Sequence, residues 1–312
     1  MHALTILWNP SEGIDLGFFE IKFYSLMFVV AFVLGWFLIK KIFAHENESE
    51  KNLDSLFIYM VVAILVGARM GHVIFYQSEL LLQDPLSVFL PFSFVPEIEY
   101  TGFRGLASHG AAIGVIIAMY FYSKKVLKKP MLWILDRVVL PVASGAIFVR
   151  IGNFINSEII GKASGDFPLG VQFLQDEISS NQAIAITGIN DSGKAYDAIA
   201  TDPTFADALA SVPFRHAAQL YESAGYVLVF AILMWLYWKM DKRKQLGFLF
   251  GAFLVLLWTV RFFVEFVKEA QVDERGEWFL NTGQLLSVPF ILIGIYFMIQ
   301  SYKKKYENTP SL

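Results

Sequence analysis

Val138-Val-Leu-Pro141-Val-Ala-Ser-Gly145-Ala-Ile-Phe-Val-Arg150-Ile-Gly-Asn153-Phe-Ile-Asn156-Ser-Glu158 starts as an uncharged apolar run and ends on a guanidinium, two amides and a carboxylate. The apolar part approaches the roughly 20 residues that a helix needs to cross a bilayer. Polar groups at the end of such a run are expensive to keep, so they read as a binding or reaction site.

Composition extends this reading to the whole chain. Of 312 residues, 56% are hydrophobic and 17% charged, against about 45–50% and about 25% in soluble domains, which is the balance of a polytopic membrane protein. Apolar segments of spanning length or close to it fall at 23–39, 56–76, 106–122, 137–155, 225–238, 247–267 and 284–302, the fifth being the shortest. Pro141 and Gly145 are tolerated where neighbouring helices satisfy the freed backbone groups. The expected fold is all-α, one domain of seven transmembrane helices over residues 1–312.

Basic residues orient it. Lys40, Lys41 and Lys51 follow the first span; Lys124, Lys125, Lys128 and Lys129 the third; Lys239, Lys242, Arg243 and Lys244 the fifth; Lys303, Lys304 and Lys305 the seventh. Residues 77–101 carry no Lys or Arg, and 268–282 set two against Glu269, Asp273, Glu274 and Glu277. The positive-inside rule then puts the N-terminus outside and the C-terminus in the cytoplasm. Residues 1–16 lack the basic start and small-residue cleavage site of a signal peptide, so the first run is expected to remain a span. The longest connection, 162–214, falls outside. Its portion 179–211 is polar with few large apolar residues, and the expectation is a small periplasmic elaboration inserted in the domain.

Several classes are disfavoured. A net charge of −3 offers no basic field for nucleic acid. Without cysteine the chain has no thiolate or disulfide. The five histidines are dispersed and no His-Glu-x-x-His occurs, so neither metal nor cofactor is expected. The last span has no lysine for a retinal Schiff base, and Ser144 lacks a convincing histidine partner for intramembrane proteolysis. A lipid or solute transporter is the non-enzyme alternative, although no inverted repeat is visible.

On this topology the buried polar residues gather near the outer ends of the spans. Arg69 and His72 share a helix face; His109 and Gly110 open the third span, Arg150, Asn153 and Glu158 close the fourth, Arg215-His216-Ala-Ala-Gln219-Leu-Tyr221-Glu222 leads into the fifth, and Arg261 and Glu265 sit near the end of the sixth. Each has a plain alternative. Arg261 and Glu265 have the spacing of an intrahelical ion pair, Arg69 that of a snorkelling side chain, and His72 that of a structural histidine. Gly105, Gly110 and Gly114 suit close helix packing, Gly114 above all. Against these stands convergence: three arginines at one depth call for an anion, and a phospholipid phosphate matches the guanidinium fork.

Arg150-Ile-Gly-Asn-Phe-Ile-Asn-Ser-Glu158-Ile-Ile-Gly161 resembles the signature of the bacterial phosphatidylglycerol:prolipoprotein diacylglyceryl transferases. Ile21-Lys-Phe-Tyr24, Gly67-Ala-Arg69-Met-Gly-His72, Ser108-His109-Gly110, His216-Ala-Ala-Gln219-Leu-Tyr221-Glu222, Arg261-Phe-Phe-Val-Glu265 and Gly283-Gln284 follow the same family in order, covering nearly the whole chain except 179–211. The resemblance implies a seven-span enzyme of the bacterial inner membrane with a periplasm-facing site. Its partners would be phosphatidylglycerol and the lipobox segment of a preprolipoprotein signal peptide.

The resemblance also implies roles. Arg150 and Arg261 would hold the phosphate and stabilise the leaving group, and His109 would activate the substrate thiol. Tyr24, Asn153, Asn156, Glu158, Gly161 and Glu265 would bind phosphatidylglycerol, with Arg69, Gly110, His216, Gln219, Glu222 and Gln284 in support. Ser157 and Lys162 stand where the family usually has Gly and Arg, and Leu257 where it commonly has Tyr.

Overall fold

In a computed structural model, residues 6–11, 13–17, 20–90, 92–101, 105–165, 167–269 and 280–303 are described. Lys304, Lys305, Asp273, Glu274, Glu277 and the first five residues, used above for orientation and the N-terminal reading, lie outside these ranges. The chain is mostly helical, because in lipid a spanning segment must satisfy its own backbone. Strands β1 (Ile6–Trp8), β2 (Gly13–Asp15) and β3 (Glu20–Lys22) precede helices α1 (Phe23–His45), α2 (Glu50–Tyr76) and the single turn α3 (Leu80–Gln83). Strands β4 (Phe92–Ser93) and β5 (Glu99–Tyr100) lead to α4 (Ser108–Tyr122), which runs on as a π-turn over Ser123–Leu127, and to α5 (Met131–Ile155). Then come β6 (Val171–Phe173), α6 (Leu174–Glu177), α7 (Ser180–Thr187), α8 (Ser192–Thr201), α9 (Ala206–Ala210), β7 (Phe214–Arg215), α10 (Ala218–Trp238), α11 (Phe248–Val264) and α12 (Thr282–Lys303).

Every apolar segment named from the sequence is a helix. Among the described residues six helices, those including α1, α2, α4, α5, α10 and α12, are long and apolar enough to cross a membrane, and α11 is a shorter apolar helix of 17 residues. The fifth span is therefore not the shortest: α10 has 21 residues, because its first two turns carry the buried polar side chains Gln219, Glu222 and Ser223. Hydropathy could not assign those turns to a span. The fold is all-α as expected, and outside the apolar helices only two- and three-residue strands pair among the described residues. β6 joins β1 in parallel, Leu7 opposite Gln172, and β7 antiparallel, Gln172 opposite Phe214.

The chain divides into two compact units. In the unit Ile39–Val138, α2 and α4 meet through Gly67, Gly71, Gly110 and Gly114. A Cβ on Gly110 would fall 2.3 Å from the Gly67 carbonyl oxygen, and one on Gly114 2.5 Å from that of Ala63. Such small-residue seams allow backbones to touch where no hydrophobic effect separates helix from lipid. Ala107 N–H donates to the Ala68 carbonyl at 2.9 Å in the same seam. Trp133 lies between Lys129 and Arg137, whose charges meet Glu48 and Glu46.

In the other unit, residues 1–38 and 139–312, α11 and α12 approach at Gly251 and Gly294, with Trp258 and Phe290 stacked 4.3 Å apart. The stretch 162–214 holds α6 to α9. Its few apolar side chains suffice for a small core of Leu174, Ile178, Ala183, Ala195, Tyr196, Ile199 and Val212, pinned by the Tyr196 hydroxyl on the Ile178 carbonyl at 2.7 Å. Ser179 and Gln182 form a capping box at the start of α7, satisfying two otherwise orphaned N–H groups.

The seam is directly testable. Gly114→Val is expected to destabilise the protein by about 1–3 kcal/mol or more through overpacking, seen as a lower thermal midpoint in detergent. Gly35→Ala, whose Cβ would rest 3.5 Å from that of Pro141, is expected to leave the midpoint nearly unchanged.

Candidate active site

The site grows from the C-terminus of α5. That helix ends in a Schellman motif: Glu158 N–H donates to the Asn153 carbonyl at 2.9 Å, Ser157 N–H to that of Phe154 at 3.1 Å, and Ser157 takes a left-handed φ of 54°. Glycine is the usual residue at this position because a Cβ is strained there. Ile159, at φ 59°, is a second such residue, and strain of this kind persists where the surroundings over-determine it. The turn swings Glu158 back over the helix end, where its carboxylate accepts from Asn156 Nδ2 at 2.6 Å and Asn153 Nδ2 at 3.4 Å. Tyr24 hydrogen-bonds with the Asn153 amide. Its ring reaches that depth because residue 152 is glycine; a Cβ there would lie 3.1 Å from Tyr24 Cδ2.

Arg150 is held by Glu222 of α10, Nε to Oε2 at 2.5 Å, and donates to Asn153 Oδ1 at 3.4 Å. Glu222 is 1% exposed. A carboxylate so far from water needs its cation, and removing one partner of such a pair costs on the order of 3–5 kcal/mol. Gln219, one turn earlier, donates to the Glu158 carbonyl at 2.6 Å. The sequence reading gave Glu222 and Gln219 supporting roles; they are the direct partners of Arg150 and of the Glu158 backbone.

Gly161 joins three segments. Its N–H donates to the His216 carbonyl at 2.9 Å, Lys162 N–H to that of Val267 at 2.8 Å, and Glu269 N–H to that of Ile160 at 3.1 Å. A Cβ on Gly161 would stand 2.5 Å from the His216 oxygen and 2.8 Å from the Val267 oxygen, so only glycine fits between the two strands. This brings the segment after α11 to the end of α5 and inserts Lys268, which is 3% exposed.

Lys268 Nζ lies 3.5 Å from Glu265 Oε2, and Glu222, Arg261 and Arg150 are within electrostatic reach. Burial pulls its pKa below the ordinary lysine value; Arg261 and Arg150 act in the same direction and the two carboxylates against it. Glu265 thus pairs with Lys268, and no Arg261–Glu265 ion pair forms. Glu265 is also packed against Gly283, where a Cβ would meet its Oε1 at 2.1 Å. Arg261 sits over Trp258, 5.4 Å from the ring centroid. Arg261 Nε, Glu222 Oε1, Glu265 Oε2 and Gln219 Oε1 are buried without hydrogen-bond partners. Gln284 exchanges hydrogen bonds with Asn281 at the start of α12, at 2.8 and 3.1 Å, and Asn281 in turn holds the Glu265 carbonyl at 3.0 Å.

His216 flanks the junction, its Nδ1 3.3 Å from the Tyr221 hydroxyl and its ring 5.0 Å from Phe167. Burial lowers its pKa. Arg69, Gly110 and His109 belong to the other unit and are described within it. Arg69 donates to the carbonyls of Ser87 and Val88 at 2.8 and 2.9 Å, holding a loop rather than snorkelling. His72 packs on the Gly105 turn, at φ 74°, and Gly110 belongs to the α2–α4 seam. His109 is exposed, beside the rings of Phe75 and Tyr76 at 5.0 and 5.9 Å. Among the described residues no three His, Asp or Glu side chains gather as a metal site.

Apolar helices of spanning length, with half-buried arginines and buried carboxylates and amides near their ends, define a polytopic membrane protein. Residues 12–300 match the family model for prolipoprotein diacylglyceryl transferase. A phosphatidylglycerol–prolipoprotein diacylglyceryl transferase of Chloroherpeton thalassium is 35% identical over 302 residues, 96% of this chain and 95% of the relative. Enzymes of that name from Bacteroides fragilis and Tolumonas auensis are each 34% identical, covering 97% and 96% of this chain and 97% and 99% of the relatives. The chain belongs to the prolipoprotein diacylglyceryl transferase family and is a multi-pass bacterial membrane protein.

Two predictions follow from this geometry. Ser157→Gly removes both the left-handed strain and a buried, unpartnered hydroxyl; a stability gain of up to about 1 kcal/mol is expected in thermal unfolding, since αL costs an L-residue roughly 1–2 kcal/mol and added glycine entropy returns part of it. For His216, a lowered folded pKa means that the unfolded chain binds the proton first. Stability is then lost as pH falls below about 6.5. The midpoint should drop between pH 7 and 5, and drop less in His216→Gln.

Proposed function

We propose that the protein transfers the sn-1,2-diacylglyceryl group of phosphatidylglycerol to the lipobox cysteine thiol of a preprolipoprotein. The substrate sulfur forms a bond to the glyceryl carbon, the bond from that carbon to the phosphate oxygen breaks, the thiol proton passes to a base, and glycerol 1-phosphate leaves. The observation that carries this reading is the Arg150–Glu222–Asn153–Glu158 network beside Arg261, in a chain whose relatives bear that activity in their name.

Phosphate recognition falls to Arg150 and Arg261. With Nε of Arg150 committed to Glu222 and Nη1 bonded to Asn153 Oδ1, the remaining N–H groups of its terminal nitrogens are the donors offered to a ligand, and an unpartnered Nε on Arg261 offers one more. Donors fixed before the reaction stabilise the charge that builds on the departing phosphate. Tyr24, Asn153, Asn156 and Glu158 orient the glycerol head, and Glu265 and Gly161 complete that lining. His109 takes the thiol proton: a free thiol with pKa about 8.5 is mostly protonated at neutral pH, and a neutral imidazole accepts from it. Seven spans, with α11 included, an external N-terminus, a periplasm-facing site and residence in the inner membrane complete the proposal. In it the chain is one domain and 162–214 a periplasmic elaboration.

The test uses purified protein, phosphatidylglycerol and a lipobox peptide, followed by mass spectrometry. Wild type is expected to add diacylglyceryl to the cysteine and release glycerol phosphate, and Arg150→Ala to do neither. Arg150→Lys keeps the charge but loses the fork, and turnover should fall about 10- to 100-fold, the equivalent of one charge-assisted hydrogen bond. A folded, lipid-binding wild type that forms no covalent product would favour lipid transport instead.

A further inference from the structure

In the sequence Lys268 counts only as one of the two basic residues of 268–282, yet it is among the most buried charges of the described residues, at 3% exposed. Its ammonium has three donors. Its charge contact is the 3.5 Å approach to Glu265, whose Oε2 has no hydrogen bond. A structural lysine at this depth would be expected to spend those donors on backbone carbonyls. The backbone here is already occupied, since Gly161 bonds to His216, His216 to Lys162, Lys162 to Val267 and Glu269 to Ile160 around it.

The charges that face Lys268 are Glu222 from α10, Glu265 and Arg261 from α11, and Arg150 from α5. With Lys268 included they are three cations against two anions. Glu158, which Asn153 and Asn156 hold in the headgroup lining, brings a third carboxylate, so with Lys268 the lining balances three cations against three anions. Without Lys268 it is net negative, and an anionic headgroup would enter a low-dielectric site against an unbalanced carboxylate.

We propose that Lys268 is a third cation of the headgroup site, supplying the positive charge without which the site would reject an anionic phosphodiester lipid relative to a zwitterionic one. The proposal rests on the transferase reading for the location of the headgroup and goes beyond it in assigning charge selectivity to one residue. A consequence is proton linkage. An ammonium already destabilised by burial is stabilised when an anion binds beside it, so affinity for the anionic lipid is highest at low pH and declines as pH rises through the lysine's value in the free protein. An arginine in its place would not titrate.

The experiment titrates the full chain in detergent with short-chain phosphatidylglycerol and, separately, short-chain phosphatidylcholine. Tryptophan fluorescence is the readout, Trp258 being beside Arg261, and transfer to a lipobox peptide is measured in parallel. Lys268→Met is expected to weaken phosphatidylglycerol binding about tenfold or more while leaving phosphatidylcholine binding unchanged. Lys268→Arg should bind like wild type at pH 7 and lose the decline between pH 7 and 10. Wild-type affinity in folded Lys268→Met, or an unaltered decline in Lys268→Arg, would overturn the proposal; the second arm decides if the methionine variant does not fold. Should wild type transfer normally while the Lys268 variants match it, this inference alone fails. Should wild type show neither preference for phosphatidylglycerol nor transfer, the transferase reading fails with it.

Discussion

The buried contact between Arg150 and Glu222 is the constraint around which the functional end of the protein is organised. A carboxylate at 1% exposure beside a guanidinium at 13% remains ionised because the guanidinium supplies its lost hydration. The pair fixes the end of α5 against the first turns of α10. Once Nε is spent on Glu222, the rest of the Arg150 guanidinium is aimed by geometry and not by rotamer choice. Asn153 and Glu158 then line up along the same helix end.

Charge alone would not hold this arrangement. The backbone junction of 160–163, 214–216 and 266–269 carries the strands that place Lys268 and the end of α11 beside α5, and it closes only because Gly161 lets two carbonyl oxygens approach within 2.5 and 2.8 Å of where a side chain would begin. Local strain is part of the same construction. Ser157 and Ile159 are held left-handed, and the return is the short path by which Glu158 reaches back to both asparagines. Regular helix would have carried that carboxylate away.

Much of the candidate site could be read in advance, for identifiable reasons. Arg150, Asn153, Glu158, Arg261 and Glu265 stood out because lipid makes polar residues conspicuous. Pairings were less legible. Arg261 and Glu265 have the right helical spacing, yet Glu265 turns to Lys268, a contact requiring the chain beyond α11 to fold back on Gly161. Lys268 itself looked like an ordinary loop lysine; its only local sign was lying three residues after Glu265. Arg69 and Gln284 carried the same signal as the site residues, and only the structure shows that they bond to a loop and to a helix start.

By itself the sequence determined the class of protein and the position of each apolar helix, because bilayer thickness and backbone hydrogen bonding leave a long apolar run no other solution. It also picked out the polar residues that must be kept from lipid. Only the tertiary structure decided the start of α10 inside a polar stretch, the small core of 162–214, and which cation answers which carboxylate. Those outcomes depend on contacts between residues tens of positions apart, whose energies arise only once backbone junctions such as that at Gly161 have closed.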